Sequence, residues 1–256
     1  MAIATITGMA IITGTGMIMG ITTIMGMVTG TGITTTIIRT NTNSPMDWIR
    51  DPAEIYRRSF AILRDELNLA GLAPADGDIA LRVAHACGMV DAAAALVFAG
   101  GPGAAGRAAL AQGRPILCDA AMVASGVLRA RLPAGNAVVC TIDAPETHAR
   151  AAMLATTRAA AAVDLWGESL AGAVVAIGNA PTTLFRLLER LAEGAPKPAA
   201  ILAFPVGFVG ALESKAALIG AEIGVPFVTL PGRRGGSAMA AAAVNALMGN
   251  PEEAGR

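Results

Sequence analysis

Five short apolar runs, almost free of polar residues and separated by stretches of helical period, constrain this chain more than any other feature. They are Pro115-Ile116-Leu117-Cys118, Ala137 through Ile142, Ala173 through Ile177, Ala199 through Phe204 and Pro226 through Leu230. A strand with one wet face alternates apolar and polar side chains, so a continuous run predicts a strand buried on both faces. Helices are expected near 104–112, 156–169, 182–193, 209–220 and 235–248. Strands alternating with helices imply an α/β fold, a single domain with a mainly parallel sheet flanked by helices. Upstream, Asp51-Pro52 has the chemistry of a helix start, and Ile55, Phe60, Ile62, Leu63, Leu67 and Leu69 give it an apolar face over 52–69. A second helix is expected over roughly 78–97, where Ile79, Val83, Cys87 and Val90 recur at three- and four-residue steps.

The core must be built from small side chains, because 54% of the 256 residues are apolar and only 4% are aromatic. Nineteen basic residues balance nineteen acidic ones, so no net field draws in nucleic acid or an anionic membrane. Two of the basic residues are lysines, Lys197 and Lys215, and seventeen are arginines, whose planar fork suits carboxylates. Cys87, Cys118 and Cys140 have neither metal-site spacing nor the even number of a disulfide framework. They read as reduced core thiols of a cytoplasmic protein, with no metal centre.

Ligands of parallel sheets bind beyond the carboxyl ends of the strands. The residues there are Asp119, Asp143, Gly178-Asn179-Ala180-Pro181-Thr182, Pro205 through Gly210, and Gly232-Arg233-Arg234-Gly235-Gly236-Ser237. The third and fifth carry the most chemistry. Gly178 permits close approach, Asn179 can donate and accept, and a helix starting at Pro181 offers N–H groups to an anion. Two arginines before a Gly-Gly-Ser helix start suit a carboxylate or phosphate. Gly101-Pro102-Gly103-Ala104-Ala105-Gly106 fits the dinucleotide pattern G-x-G-x-x-G. It is discounted because the residues before it read as the tail of the 78–97 helix and a proline sits inside the turn. A nicotinamide-dependent oxidoreductase remains the alternative enzyme.

His85-Ala86-Cys87-Gly88-Met89-Val90-Asp91 holds one of only two histidines. Its small apolar neighbours place the imidazole at the edge of a core, where a group that exchanges protons near neutral pH is useful. On residue type alone, a core histidine bonded to a carbonyl would be preferred. His148 lies in a polar helix start and reads as solvated.

The 85–91 motif resembles the active-site motif of the precorrin-8X methylmutases. Ile55-Tyr56-Arg57-Arg58-Ser59-Phe60 resembles that family's N-terminal helix. Pro115–Ala120, Gly178–Arg186, Pro205–Lys215 and Gly232–Asn245 follow in the family's order, so the likeness runs from Trp48 to Met248. The resemblance implies a cytoplasmic homodimer in cobalamin biosynthesis that moves a methyl group between adjacent ring carbons of precorrin-8X and gives hydrogenobyrinic acid. It implies no cofactor, His85 as the acid/base, and Ser59 in contact with the substrate. Arg158, Asn179 and Arg234 join Ser59 as candidate substrate-binding residues on position and chemistry. A tetrapyrrole carrier without catalysis is the remaining alternative. Whether the substrate carries cobalt is not encoded in these motifs.

Residues 1–44 depart from the family. They consist almost wholly of Ile, Thr, Gly, Met and Ala, with no charge before Arg39. They lack the basic start of a signal peptide, and Thr and Gly interrupt any membrane-spanning run. If the Ile, Thr and Met codons end in C or G, reading one base earlier turns Ile-Thr-Thr-Ile-Met into a run rich in histidine codons. The segment is therefore expected to be a disordered or spurious extension outside the fold, with the true start near Met46, a domain over 45–250 and a tail over 251–256. N-terminal sequencing of the native protein checks this: a mature chain starting at Met1 contradicts it.

Overall fold

The computed structural model describes residues 26–29, 32–35 and 48–249. The chain divides into a unit Met1–Arg50 and a unit Asp51–Arg256. In the first, β1 (Gly26–Thr29) pairs antiparallel with β2 (Gly32–Thr35). No strand period is evident in the sequence there, but the β-branched residues of both segments favour extended backbone. The rest of the 1–44 extension and the 251–256 tail lie outside the described residues.

The second unit carries a six-stranded sheet of β3 (Val97–Ala99), β4 (Ile116–Cys118), β5 (Val138–Cys140), β6 (Val174–Ile177), β7 (Ala200–Ala203) and β8 (Phe227–Thr229). Their order is β3-β8-β7-β6-β4-β5, parallel throughout except for β3, which runs antiparallel to β8. All five apolar runs are strands. Successive side chains leave opposite faces, and both faces are covered. Val174, Ala176 and Leu202 face one core with Val244 and Leu247, while Val175, Ile177 and Ile201 face another with Trp166, Leu184 and Leu187.

The helices are α1 (Pro52–Glu66), α2 (Pro74–Cys87), α3 (Val90–Ala94), α4 (Pro102–Ala111), α5 (Ala121–Gly126), α6 (Pro145–Met153), α7 (Arg158–Asp164), α8 (Pro181–Ala192), α9 (Ala211–Gly220) and α10 (Ser237–Ala246). The single helix expected over 78–97 is instead α2, α3 and β3. Gly88 adopts a left-handed conformation, φ 68°, and its N–H bonds the Ala84 carbonyl at 2.8 Å, which ends α2.

The strand missing from the dinucleotide pattern therefore exists, yet the glycines serve packing. The Gly103 N–H donates to buried Asp76 Oδ1 at 2.7 Å. A Cβ at Gly103 would lie 2.5 Å from the Ala75 carbonyl carbon, and one at Gly106 would lie 2.7 Å from Leu247 Cδ1. Protein atoms thus occupy the space that a pyrophosphate would need at this helix start.

Strand order reverses between β4 and β6, the usual ligand crevice of such sheets. Asp119, only 2% exposed, fills it. Its carboxylate accepts from the Gly178 N–H at 2.9 Å, the Asn179 N–H at 2.9 Å and the Ala180 N–H at 2.8 Å. Burial raises its pKa while these three donors lower it. The N–H groups of the loop that precedes α8 are thus bonded to protein. Removing the carboxylate takes the acceptor from three N–H groups, that of buried Gly178 among them, so Asp119→Ala is expected to lose about 2–4 kcal/mol of stability. Urea unfolding measures it, and a loss below about 0.5 kcal/mol would show that the clamp does not hold the loop.

Candidate active site

Local sequence sets the position of His85. The Asp51 side chain accepts from the Ala53 N–H at 3.0 Å and starts α1. Phe60, Leu63 and Leu67 then bury against Ala80, Leu81 and Ala84 of α2. This packing brings Ser59 Oγ to 2.8 Å from His85 Nδ1. The imidazole is exposed on one side and lies over an aromatic platform on the other. Its centroid is 4.9 Å from Phe60 and 5.8 Å from Tyr56, and those two rings stack at 4.4 Å. The Arg82 guanidinium, one helical turn before His85, sits 5.6 Å from the centroids of both Tyr56 and Phe60.

Desolvation against this platform lowers the His85 pKa, and the Arg82 charge lowers it further. Both oppose the imidazolium, although a helix C-terminus by itself favours a cation. The neutral ring keeps one nitrogen on Ser59, whose hydroxyl can donate or accept. Among the described residues no protein group bonds Nε2, which is left to face a ligand. The arrangement can take up or release a proton without a second titratable partner. Arg82 is also strained electrostatically: its Nη2 is buried without a hydrogen-bond partner, and burial lowers its pKa.

The far end of the motif is tied to the sheet. Asp91, in α3, accepts from Arg234 Nη1 at 2.5 Å, and that bond is the first cause of its lowered pKa. The loop after β8 is fixed from below, where Lys215 Nζ, fully buried on α9, donates to the Arg234 carbonyl at 2.7 Å. Desolvation brings the Lys215 pKa down to about 8. Two further bonds join this loop to the one after β7: Gly207 N–H to the Arg233 carbonyl at 3.2 Å, and Gly236 N–H to the Phe204 carbonyl at 2.8 Å. Gly235 lies so close to the Phe204 and Pro205 carbonyls that any side chain would collide. Above these loops is a cavity of about 310 Å³, lined by Met89 of the motif, residues 206–208, Arg233 and Arg234.

The site residues expected from sequence fall into two groups. Ser59, His85 and Arg234 are joined through the 85–91 motif and Asp91. Arg158 and Asn179 belong to neighbouring loops and make no hydrogen bond or ion pair with that group among the described residues. Arg158 is exposed and pairs with Asp143 at 3.3 Å. Asn179 is exposed, with its N–H on Asp119. Thr157 and Thr182 hydroxyls, 2.9 Å apart, link the starts of α7 and α8 beside them. His148 is exposed. Sequence reasoning missed Tyr56, Arg82 and Lys215. The first two had a signal: Tyr56 and Phe60 share a face at four-residue spacing, and Arg82 and His85 at three. Among the described residues, no three His, Cys, Asp or Glu side chains converge as a metal set would.

A family model described as precorrin-8X methylmutase matches residues 54–250. The precorrin-8X methylmutase of Pseudomonas aeruginosa is 62% identical over 203 residues, covering 79% of this chain and 97% of that protein. The one from Sinorhizobium sp is 60% identical over 201 residues, 78% of this chain and 96% of its own length. A crystal structure of the Thermus thermophilus precorrin-8X methylmutase superposes with a TM-score of 0.70 at 42% identity, covering 77% of this chain and 94% of that one. The match to the family model and the likeness to both bacterial proteins extend over most of the second unit, and the chain belongs to the precorrin-8X methylmutase family.

Proposed function

We propose that the protein is an isomerase of cobalamin biosynthesis that converts precorrin-8X into hydrogenobyrinic acid, with His85 moving the proton. Family membership gives the reaction. The observation that supports the role of His85 is its ring, bonded to Ser59 at 2.8 Å, lowered in pKa and open on one side.

The chemistry asks little of the protein. Substrate and product are isomers, so the methyl group leaves one ring carbon for its neighbour with no net change of electrons or protons. A proton placed on the conjugated macrocycle biases its electrons toward the shift, and returning that proton closes the cycle. One imidazole can do both, and its lowered pKa makes its imidazolium the stronger acid. Such general acid–base help is worth typically ~10²–10⁴-fold. Ser59 orients the ring and meets the substrate beside it. Arg158, Asn179 and Arg234 contact the substrate's peripheral carboxylates, the two arginines through the N–H donors that their aspartates leave free. The catalytic domain spans 45–250 and acts as a cytoplasmic homodimer without a cofactor. Three free cysteines fit a reducing compartment. No described helix is long and apolar enough to cross a membrane. The oxidoreductase alternative loses its site to Asp76 and to the packing of Gly103 and Gly106.

Incubation with precorrin-8X, followed by visible absorbance, is expected to give the rearranged corrin. His85→Ala should lower turnover by ~10²–10⁴-fold while the product still binds, because the imidazole moves a proton and supplies little contact area. Full activity in this variant would overturn the mechanism, and a wild type that binds but never turns over would leave a carrier.

The pH profile is a separate check. The inflection due to His85 is expected below the ordinary imidazole value of about 6.5, because both causes oppose the cation. Arg82→Gln removes one of them, so the inflection should move upward but not fully back, desolvation being the larger cause. Circular dichroism confirms that this variant folds. An inflection that stays put or moves down shows that Arg82 does not tune the ring.

A further inference from the structure

Phe208 and Arg233 stand outside the mechanism just described. Phe208 is 84% exposed, at the tip of the loop after β7. Water does not favour a bare phenyl ring, and this one is not bare: the Arg233 guanidinium lies 5.4 Å from its centroid. Arg233 differs from Arg234 beside it and from other arginines of the chain. Arg234 is paired with Asp91, Arg158 with Asp143 and Arg107 with Asp78, whereas Arg233 has no carboxylate within ion-pair distance among the described residues.

Both side chains line the cavity of about 310 Å³ that also receives Met89. That volume is at the lower end of the roughly 300–1,000 Å³ typical of small-molecule sites. It suits one edge of a macrocycle, with the rest projecting over the loops. The geometry is held in advance. The Gly207 N–H bonds the Arg233 carbonyl at 3.2 Å, and Lys215 Nζ bonds the next carbonyl at 2.7 Å, so the loops carrying the phenyl ring and the guanidinium are tied together.

We propose that Phe208 and Arg233 form a clamp for the substrate ring, the phenyl face covering a flat edge of the conjugated macrocycle and the guanidinium taking one peripheral carboxylate. This rests on the methylmutase reading. It assigns the substrate's anionic fringe to the one cavity-lining arginine without a carboxylate of its own, and it leaves Arg234 chiefly to hold the motif through Asp91. An aromatic face and a planar cation together recognise a ligand that is both flat and acidic.

The test is titration of the protein with hydrogenobyrinic acid by visible absorbance, alongside turnover of precorrin-8X. Phe208→Ala is expected to weaken product binding about tenfold, with the larger part of the kinetic loss in KM, while Phe208→Trp keeps binding near wild type. Arg233→Gln should weaken binding about tenfold and flatten its salt dependence, and Arg233→Lys should recover part of it. With the fully esterified product, wild type and Arg233→Gln should bind alike. Phe208→Ala and Arg233→Gln binding as wild type overturns the clamp while leaving the isomerase reading intact. The same holds if these variants keep Kd and KM but shift the mass in sedimentation, which assigns the loop to contact between copies. A wild type that neither binds the product nor converts precorrin-8X removes the functional reading, and the clamp with it.

Discussion

One buried carboxylate ties together the loops at the point where strand order reverses in this sheet. A doubly wound fold offers its crevice where strand order reverses, and here that place lies between β4 and β6. Asp119 fills it and bonds three consecutive N–H groups of the loop after β6. Such a group is stable only because each donor compensates part of its desolvation. A cavity at the same rim lies over the loops after β7 and β8, where glycines and a buried lysine hold the two loops close together. The 85–91 motif reaches that space through Met89 and through the bond between Asp91 and Arg234.

The imidazole obeys a second constraint. A histidine at a helix C-terminus would ordinarily gain from being charged. His85 does not, because α1 lays Phe60 and Tyr56 against it and α2 supplies Arg82 one turn earlier. The helix pair therefore does more than carry the residue. Its packing lowers the pKa of the ring, and the Ser59 hydroxyl bonds one of its nitrogens. Aromatic residues in the rest of the chain are few, so the pairing of the sole tyrosine with Phe60 beside the histidine is a local investment of bulk in an otherwise small-residue core.

Much of the sheet was legible because burial on both faces leaves short, nearly continuous apolar runs of four to six residues, ended by Gly, Pro or Asp. β3 was not. It is three residues long, edge-placed and antiparallel, and it follows alanines that suit a helix equally well. Gly88 was the available sign, since a left-handed cap ends a helix. The pair of Ser59 and His85 was legible only through the family resemblance. Ser59 and His85 stand in motifs and meet in space. The roles of Asp119 and of the 178–182 loop were not, because a strand-end carboxylate looks the same whether it faces a ligand or the backbone of the next loop. The G-x-G-x-x-G stretch failed for a related reason. Glycines that admit a pyrophosphate and glycines that admit a neighbouring helix share one spacing, and only Ala75 and Leu247 tell them apart.

The distribution of arginine charge completes the physical picture. With as many acids as bases, the chain has no long-range attraction for an anionic substrate. Selectivity must then come from where individual charges are left uncompensated. Several arginines are neutralised by a named aspartate and act as struts: Arg107 on Asp78, Arg186 on Asp164, Arg234 on Asp91. A paired arginine offers a passing carboxylate only the N–H donors that its aspartate leaves free. An arginine resting on an aromatic face faces no such competition, since the ring holds the guanidinium plane and leaves its N–H edge open. The site thus separates rigidity from recognition by giving the two tasks to adjacent residues, Arg234 and Arg233, on one loop.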